Sequence, residues 1–176
     1  MSRRESIPVA SLNLKVFQLI EQRWLLLTAG TLETSNCMTV SWGTLGVLWN
    51  KPIAVIFVRP SRHTFHFTEK HPEFTLAAFP DEFRETLNYC GTHSGRTGDK
   101  AKACNLTRIP SLKVAAPAYD EADLILECRK IYSGDLDPQR FLSPDIEKNY
   151  HGRDYHRFYF GEILHAAGTS EYRSAG

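Results

Sequence analysis

The chain has 176 residues, 42% of them hydrophobic and 23% charged, with a formal net charge of +1. That length is expected to form one domain over residues 1–176 with a sizeable buried core. The charge balance excludes a general pull toward nucleic acid or acidic membranes, so any anion site must be local. Cys37, Cys90, Cys104 and Cys128 lie far apart without a C-x-x-C pair, and neither a secretory signal nor a bilayer-length apolar run is present. Free thiols in a reducing cytoplasm and no membrane partner are therefore expected.

Residues 1–9 are polar and predict a loose lead-in, followed by a short helical stretch over 11–22 and a buried strand over 24–30. From Asn36 to Gly43 the chain alternates: Cys37, Thr39 and Ser41 point to one face, and Met38, Val40 and Trp42 to the other. The pattern predicts a strand with one core face and one face free to hydrogen-bond. Gly43, Gly46 and a turn over 49–52 then lead into the apolar strand 53–58. Next, Ser61 is placed to cap a helix running to about His71, where Pro72 stops it. Further along, the sequence predicts a strand over 74–79, a helix from Pro80 to about Cys90 stopped by Gly91, and a Gly-rich polar loop over 91–100. A short helix over 100–106, a short strand over 111–115, a strand over 123–133, an irregular stretch over 134–152 and a last strand over 155–164 complete the chain. Strands dominate and several separations are too short for crossover helices, so the expected class is mainly β with inserted helices, an antiparallel Greek-key barrel.

The segment Arg59-Pro60-Ser61-Arg62-His63-Thr64 offers a place for an anion. The first turn of a helix carries unpaired N–H groups and the positive end of its dipole, Arg62 can add a forked charge-assisted contact, and the Ser61 and Thr64 hydroxyls can donate. A second basic feature, Ser94-Gly95-Arg96 with Lys100, puts hydroxyl, open backbone, guanidinium and ammonium on one loop, a combination suited to a phosphorylated ligand. Spacing alone does not bring the two together.

Four segments in order, Asn36 to Gly43, Arg59 to Thr64, Ser94 to Lys100 and Asp154 to Ile163, resemble the flavin reductase-like proteins of the flavoredoxin type. The resemblance implies an FMN-binding split barrel, usually a homodimer with the flavin near the subunit interface. It places Asn36, Met38, Thr39, Val40 and Ser41 along the isoalloxazine edge. It assigns Arg59, Ser61, Arg62 and Thr64 to the FMN phosphate, with Ser94, Arg96 and Lys100 nearby or facing a second substrate. The chain departs from its relatives at Thr97-Gly98 and at Cys37. The implied activity is an oxidoreductase that passes electrons from NADH, NADPH or a protein donor through FMN to an acceptor. The alternatives are a flavin-containing electron carrier without turnover of its own, and a barrel that binds no flavin.

Several chemistries find little support. No G-x-G-x-x-G fingerprint follows a strand, so a nicotinamide would visit a cleft rather than a Rossmann site. No G-x-S-x-G elbow occurs, which leaves little for acyl-enzyme hydrolysis. Cys90, His93 and Cys104 match no common zinc spacing, so no metal is expected. Flavin chemistry obliges no protein acid or nucleophile, and His156 is read as a hydrogen-bonded structural group, so no catalytic residue is named.

Overall fold

The computed structural model describes residues 3–174. Ten strands form in chain order: β1 (Glu5–Ile7), β2 (Leu25–Gly30), β3 (Ser35–Val40), β4 (Gly43–Leu48), β5 (Lys51–Val58), β6 (Glu73–Ala78), β7 (Arg108–Ile109), β8 (Ala118–Tyr119), β9 (Leu124–Asp135) and β10 (Arg157–Gly168). The helices are α1 (His63–Lys70), α2 (Arg84–Thr92) and α3 (Lys100–Ala103). An eight-stranded antiparallel sheet runs β3-β2-β6-β9-β10-β5-β4, with β1 added to the far end of β10, and β7 and β8 pair separately. No helix among the described residues is long and apolar enough to cross a membrane.

The order of strands decides the shape. The two ends of the sheet path, β3 and β4, are separated in sequence by only Ser41 and Trp42. A sheet whose opposite edges are joined by so short a link must curl until those edges meet, which makes a barrel left open at one seam. Alternation then sorts the side chains. Leu25, Leu27 and Ala29 of β2, Met38 and Val40 of β3, Ala54, Ile56 and Val58 of β5, and Leu124, Leu126 and Cys128 of β9 fill the barrel interior. Their neighbours Leu26, Cys37, Ala77 and Ile125 point outward and are covered by Leu87 and Cys90 of α2, Ala101 of α3 and Tyr119 of β8. At Gly161 a side chain would collide with the Phe74 ring, so glycine lets β10 pass over the core there.

The antiparallel class expected from sequence holds, and all four cysteines are free. Several local expectations are corrected. The lead-in is not wholly loose, because Glu5–Ile7 pairs with β10; residues 1–2 lie outside the described part. The helix expected over 11–22 shrinks to a wide turn over Gln18–Arg23, ended by Trp24 at positive φ. The alternating strand 36–43 breaks at Ser41-Trp42, and Gly43–Leu48 becomes β4, tied to β5 by Trp49 and Asn50, both at positive φ as a tight hairpin turn demands. Nor is one face of β3 open: Cys37 is as buried as Val40, because α2 packs on that side, whereas Trp42 is 45% exposed. Gly91 does not stop α2, which runs through it to Thr92 and uses the bare Cα to pack on Thr39. The strand expected over 111–115 is replaced by the β7–β8 ribbon on either side of it.

Candidate functional site

The seam of the barrel opens into a cleft of about 390 Å³. One wall is Met38 to Trp42, the end of β3 and the link to β4. As an edge strand among the described residues, β3 turns the N–H and C=O of alternate residues away from its partner β2, so this wall presents backbone donors and acceptors. The opposite wall is aromatic and basic: Phe57 and Arg59 from β5 and its end, Ser61 and Arg62 from the following turn, and Asp154 and His156 from the approach to β10. β5 and β10 pair from Val58↔Arg157 onward, so the residues just beyond that pair, Arg59 and His156, fall together at the mouth.

Arg62, not Ser61, caps α1. Its backbone N–H reaches the Arg59 carbonyl at 3.0 Å, and its guanidinium donates to the Gly91 carbonyl at the end of α2. Burial first, and then the Arg59 charge, push the Arg62 guanidinium below the usual arginine range, with Asp154 acting in the other direction. Two cations close together and partly desolvated are relieved by a bound anion. Ser61 gives its backbone N–H to Asp154 Oδ1 at 3.2 Å and its hydroxyl to Oδ2. Arg59 donates to the Asn149 carbonyl at 3.0 Å and lies 5.4 Å from the centre of the Tyr150 ring.

Of the residues singled out from sequence, Met38, Thr39, Val40, Ser41, Arg59, Ser61 and Arg62 line this one cleft. Arg96 does not line the cleft, but from the 91–100 loop it donates to the Ser61 carbonyl at 3.1 Å, and Ser94 holds that loop by accepting from the Arg96 N–H at 3.2 Å. The two basic segments are thus joined. Asn36, Thr64 and Lys100 sit behind. Asn36 Nδ2 donates to the Thr64 hydroxyl at 2.7 Å, with both side chains buried, and buried Lys100 donates to the Cys90 carbonyl at 2.8 Å. Burial pulls the Lys100 ammonium below its ordinary value. Asn36 and Lys100, with Arg96 and Cys37, line a neighbouring cavity of about 480 Å³.

Trp42, Phe57, Asp154 and His156 also line the cleft, where no sequence expectation puts them. Asp154 and His156 lie inside a recognised segment, which was the available signal. His156 is buried, its Nδ1 is 3.0 Å from the Tyr150 hydroxyl, and its ring stands 5.2 Å from Trp42. Burial first, then Arg59, lower its pKa to about 4, so at neutral pH it is an uncharged hydrogen-bonding ring. No cluster suited to a metal ion occurs among the described residues.

A family model described as a flavin reductase like domain matches residues 18–174. Among solved structures, the chain is similar to an FMN-binding domain of a flavin reductases-like enzyme from Shewanella baltica OS155, with TM-score 0.70, 14% identity and coverage of 97% of this chain and 79% of the other. It is also similar to flavoredoxin from Methanosarcina acetivorans, with TM-score 0.67, 24% identity and coverage of 97% and 78%. An NADH:FAD oxidoreductase of Streptomyces globisporus C-1027 aligns with TM-score 0.63, 18% identity and coverage of 86% and 77%. These structural likenesses establish the shared fold.

Proposed function

The chain belongs to the flavin reductase-like family, and from that premise we propose that it is an FMN-binding oxidoreductase taking electrons from a reduced nicotinamide. The observation that carries the reading is the cleft at the barrel seam, where the free edge of β3 faces Ser61 and the arginines Arg59 and Arg62, with Arg96 bonded to the Ser61 carbonyl beside it.

The residues fit FMN on chemical grounds. A flavin ring has an edge of alternating donors and acceptors, two apolar faces and an anionic tail. Backbone from Met38 to Ser41 can pair with the edge, Trp42 and Phe57 supply apolar cover, and Ser61, Arg59 and Arg62 supply donors and charge for the phosphate. Arg96 and Ser94 close the phosphate end, while Asn36, Thr64 and Lys100 hold its supporting loops from behind. Bound FMN supplies the redox chemistry, accepting a hydride equivalent from the nicotinamide and handing electrons to an acceptor. The chain positions the ring, neutralises its tail, and keeps the uncharged His156 ring at the mouth as a hydrogen-bonding wall.

A homodimer is part of the reading. Val47 and Trp49 on the β4–β5 hairpin and Tyr132 on β9 are 77%, 56% and 52% exposed, and Trp49 and Tyr132 pack with Phe160 into one aromatic face. That face continues through Phe158 and Phe57 to His156 at the cleft, so a partner seated on it would border the flavin.

Absorption spectra with and without added FMN, followed by anaerobic mixing with NADH or NADPH, test the proposal. Flavin absorption that bleaches with either nucleotide is the expected result. Bound flavin that neither nucleotide bleaches favours an electron carrier, and failure to bind FMN at all defeats the reading.

A further inference from the structure

A cavity of about 1220 Å³, separate from the cleft at the barrel seam, lies on the outer face of the sheet where β1 joins β10. In it stand Ser6 of β1, His165 of β10 and Glu127 of β9. Ser6 Oγ is 3.0 Å from His165 Nε2, and His165 Nδ1 is 2.9 Å from Glu127 Oε1. Glu127 is 2% exposed, and its carboxylate also accepts from the backbone N–H groups of Leu112 at 3.1 Å and Lys113 at 2.6 Å.

The protons can be assigned from this arrangement. A carboxylate is a pure acceptor, so the contact at Nδ1 requires the histidine proton to be there. In the neutral imidazole Nε2 then carries the lone pair, and the Ser6 hydroxyl donates to it. A hydroxyl donating to an imidazole that is itself oriented by a buried carboxylate is the arrangement that activates serine as a nucleophile.

A break in the strand puts the histidine there. Ile163 and Ala166 both face the barrel interior although they are separated by an odd number of positions, and the β9–β10 register shifts between Ile163 and His165. The extra residue turns His165 to the outer face, opposite Glu127 and diagonal to Ser6, which pairs with Ala167. Uninterrupted alternation would have pointed it into the apolar core.

We propose that Ser6, His165 and Glu127 form a second catalytic site, independent of the flavin reading, that hydrolyses carboxylic esters. Ser6 Oγ attacks the ester carbonyl carbon while His165 Nε2 takes the hydroxyl proton. The carbon–oxygen bond to the alcohol breaks, and His165 returns the proton to the departing oxygen. Water, deprotonated by His165, then cleaves the acyl-serine, releasing the acid and restoring the Ser6 hydroxyl. Ester and water are consumed, and acid and alcohol are formed. The lack of a G-x-S-x-G elbow does not preclude this, since such constellations are defined by geometry and not by sequence position.

The test uses the full chain with p-nitrophenyl acetate as substrate and diisopropyl fluorophosphate as covalent probe. The parent protein should release p-nitrophenol, and mass spectrometry should find the phosphoryl adduct on Ser6. Ser6→Ala, an exposed position whose loss leaves the core intact, should remove both. Glu127→Gln should lower the rate by roughly 10-fold or more and displace its pH profile, with urea unfolding as the check on its fold. No adduct on Ser6, or parent-level hydrolysis by Ser6→Ala, overturns the proposal and reduces the three residues to a clamp between strands.

Discussion

Ser61 and Asp154, 93 residues apart, are joined twice: the Ser61 backbone N–H and its hydroxyl each donate to one carboxylate oxygen of Asp154. The carboxylate therefore occupies donors that a phosphate at this turn would use. Acting on Arg62, it also offsets part of the positive charge that would attract one.

Asp154→Asn should accordingly tighten FMN binding. The amide oxygen still accepts from Ser61, while the charge that repels a phosphate is gone, so an improvement of about 3- to 10-fold is expected, corresponding to about 1 kcal/mol. Fluorescence titration at low salt reads it. Weaker binding by the variant would show that Asp154 orders the site rather than competing for it.

Arg62→Ala should act in the opposite direction. Hydrogen bonds to charged groups contribute about 1.5 to 3 kcal/mol, so binding should weaken by roughly 10- to 100-fold. The guanidinium is half-buried and bonded to one carbonyl, which leaves the barrel core untouched. Equal affinity in the same titration would exclude Arg62 from the phosphate.

His156 makes stability depend on pH. Its pKa falls from 6.5 to about 4 in the folded chain, so between those values the unfolded state binds more protons. Stability is then fully retained above the unfolded value and lost as pH drops toward 4, the cost of protonating a ring held neutral by burial. Urea midpoints measured from pH 7.5 down to about 4.5 should show this slope, and His156→Asn should flatten it.

The exposed aromatic face predicts assembly. Val47→Arg, on an exposed strand position, should leave the fold intact and shift sedimentation from dimer toward monomer. A parent protein that sediments as a monomer at micromolar concentration would remove the face from consideration as a self-interface.

What the sequence determined by itself is largely local. Apolar runs over 24–30 and 53–58 and alternation over 36–43 and 123–133 announced strands, and Leu25–Gly30, Lys51–Val58, Ser35–Val40 and Leu124–Asp135 form them, the alternating strand ending short of Ser41. Short separations announced antiparallel pairing, and of Arg59 to Thr64, where an anion site is expected, Arg59, Ser61 and Arg62 line one cleft. What failed lies where neighbours far along the chain decide. Cys37 resembles a residue on a free face until α2 covers it, and Gly91 resembles a helix stop until Thr39 needs its missing side chain. Gly43 to Leu48 carries too few β-formers to signal a strand, and pairing along β5 supplies what propensity lacks. The union of Ser61 with Arg96 and Asp154, and of Ser6 with His165 and Glu127, came only with tertiary structure. Periodicity says which side of its own strand a residue takes, whereas strand order and a single extra residue in β10 decide what stands across from it.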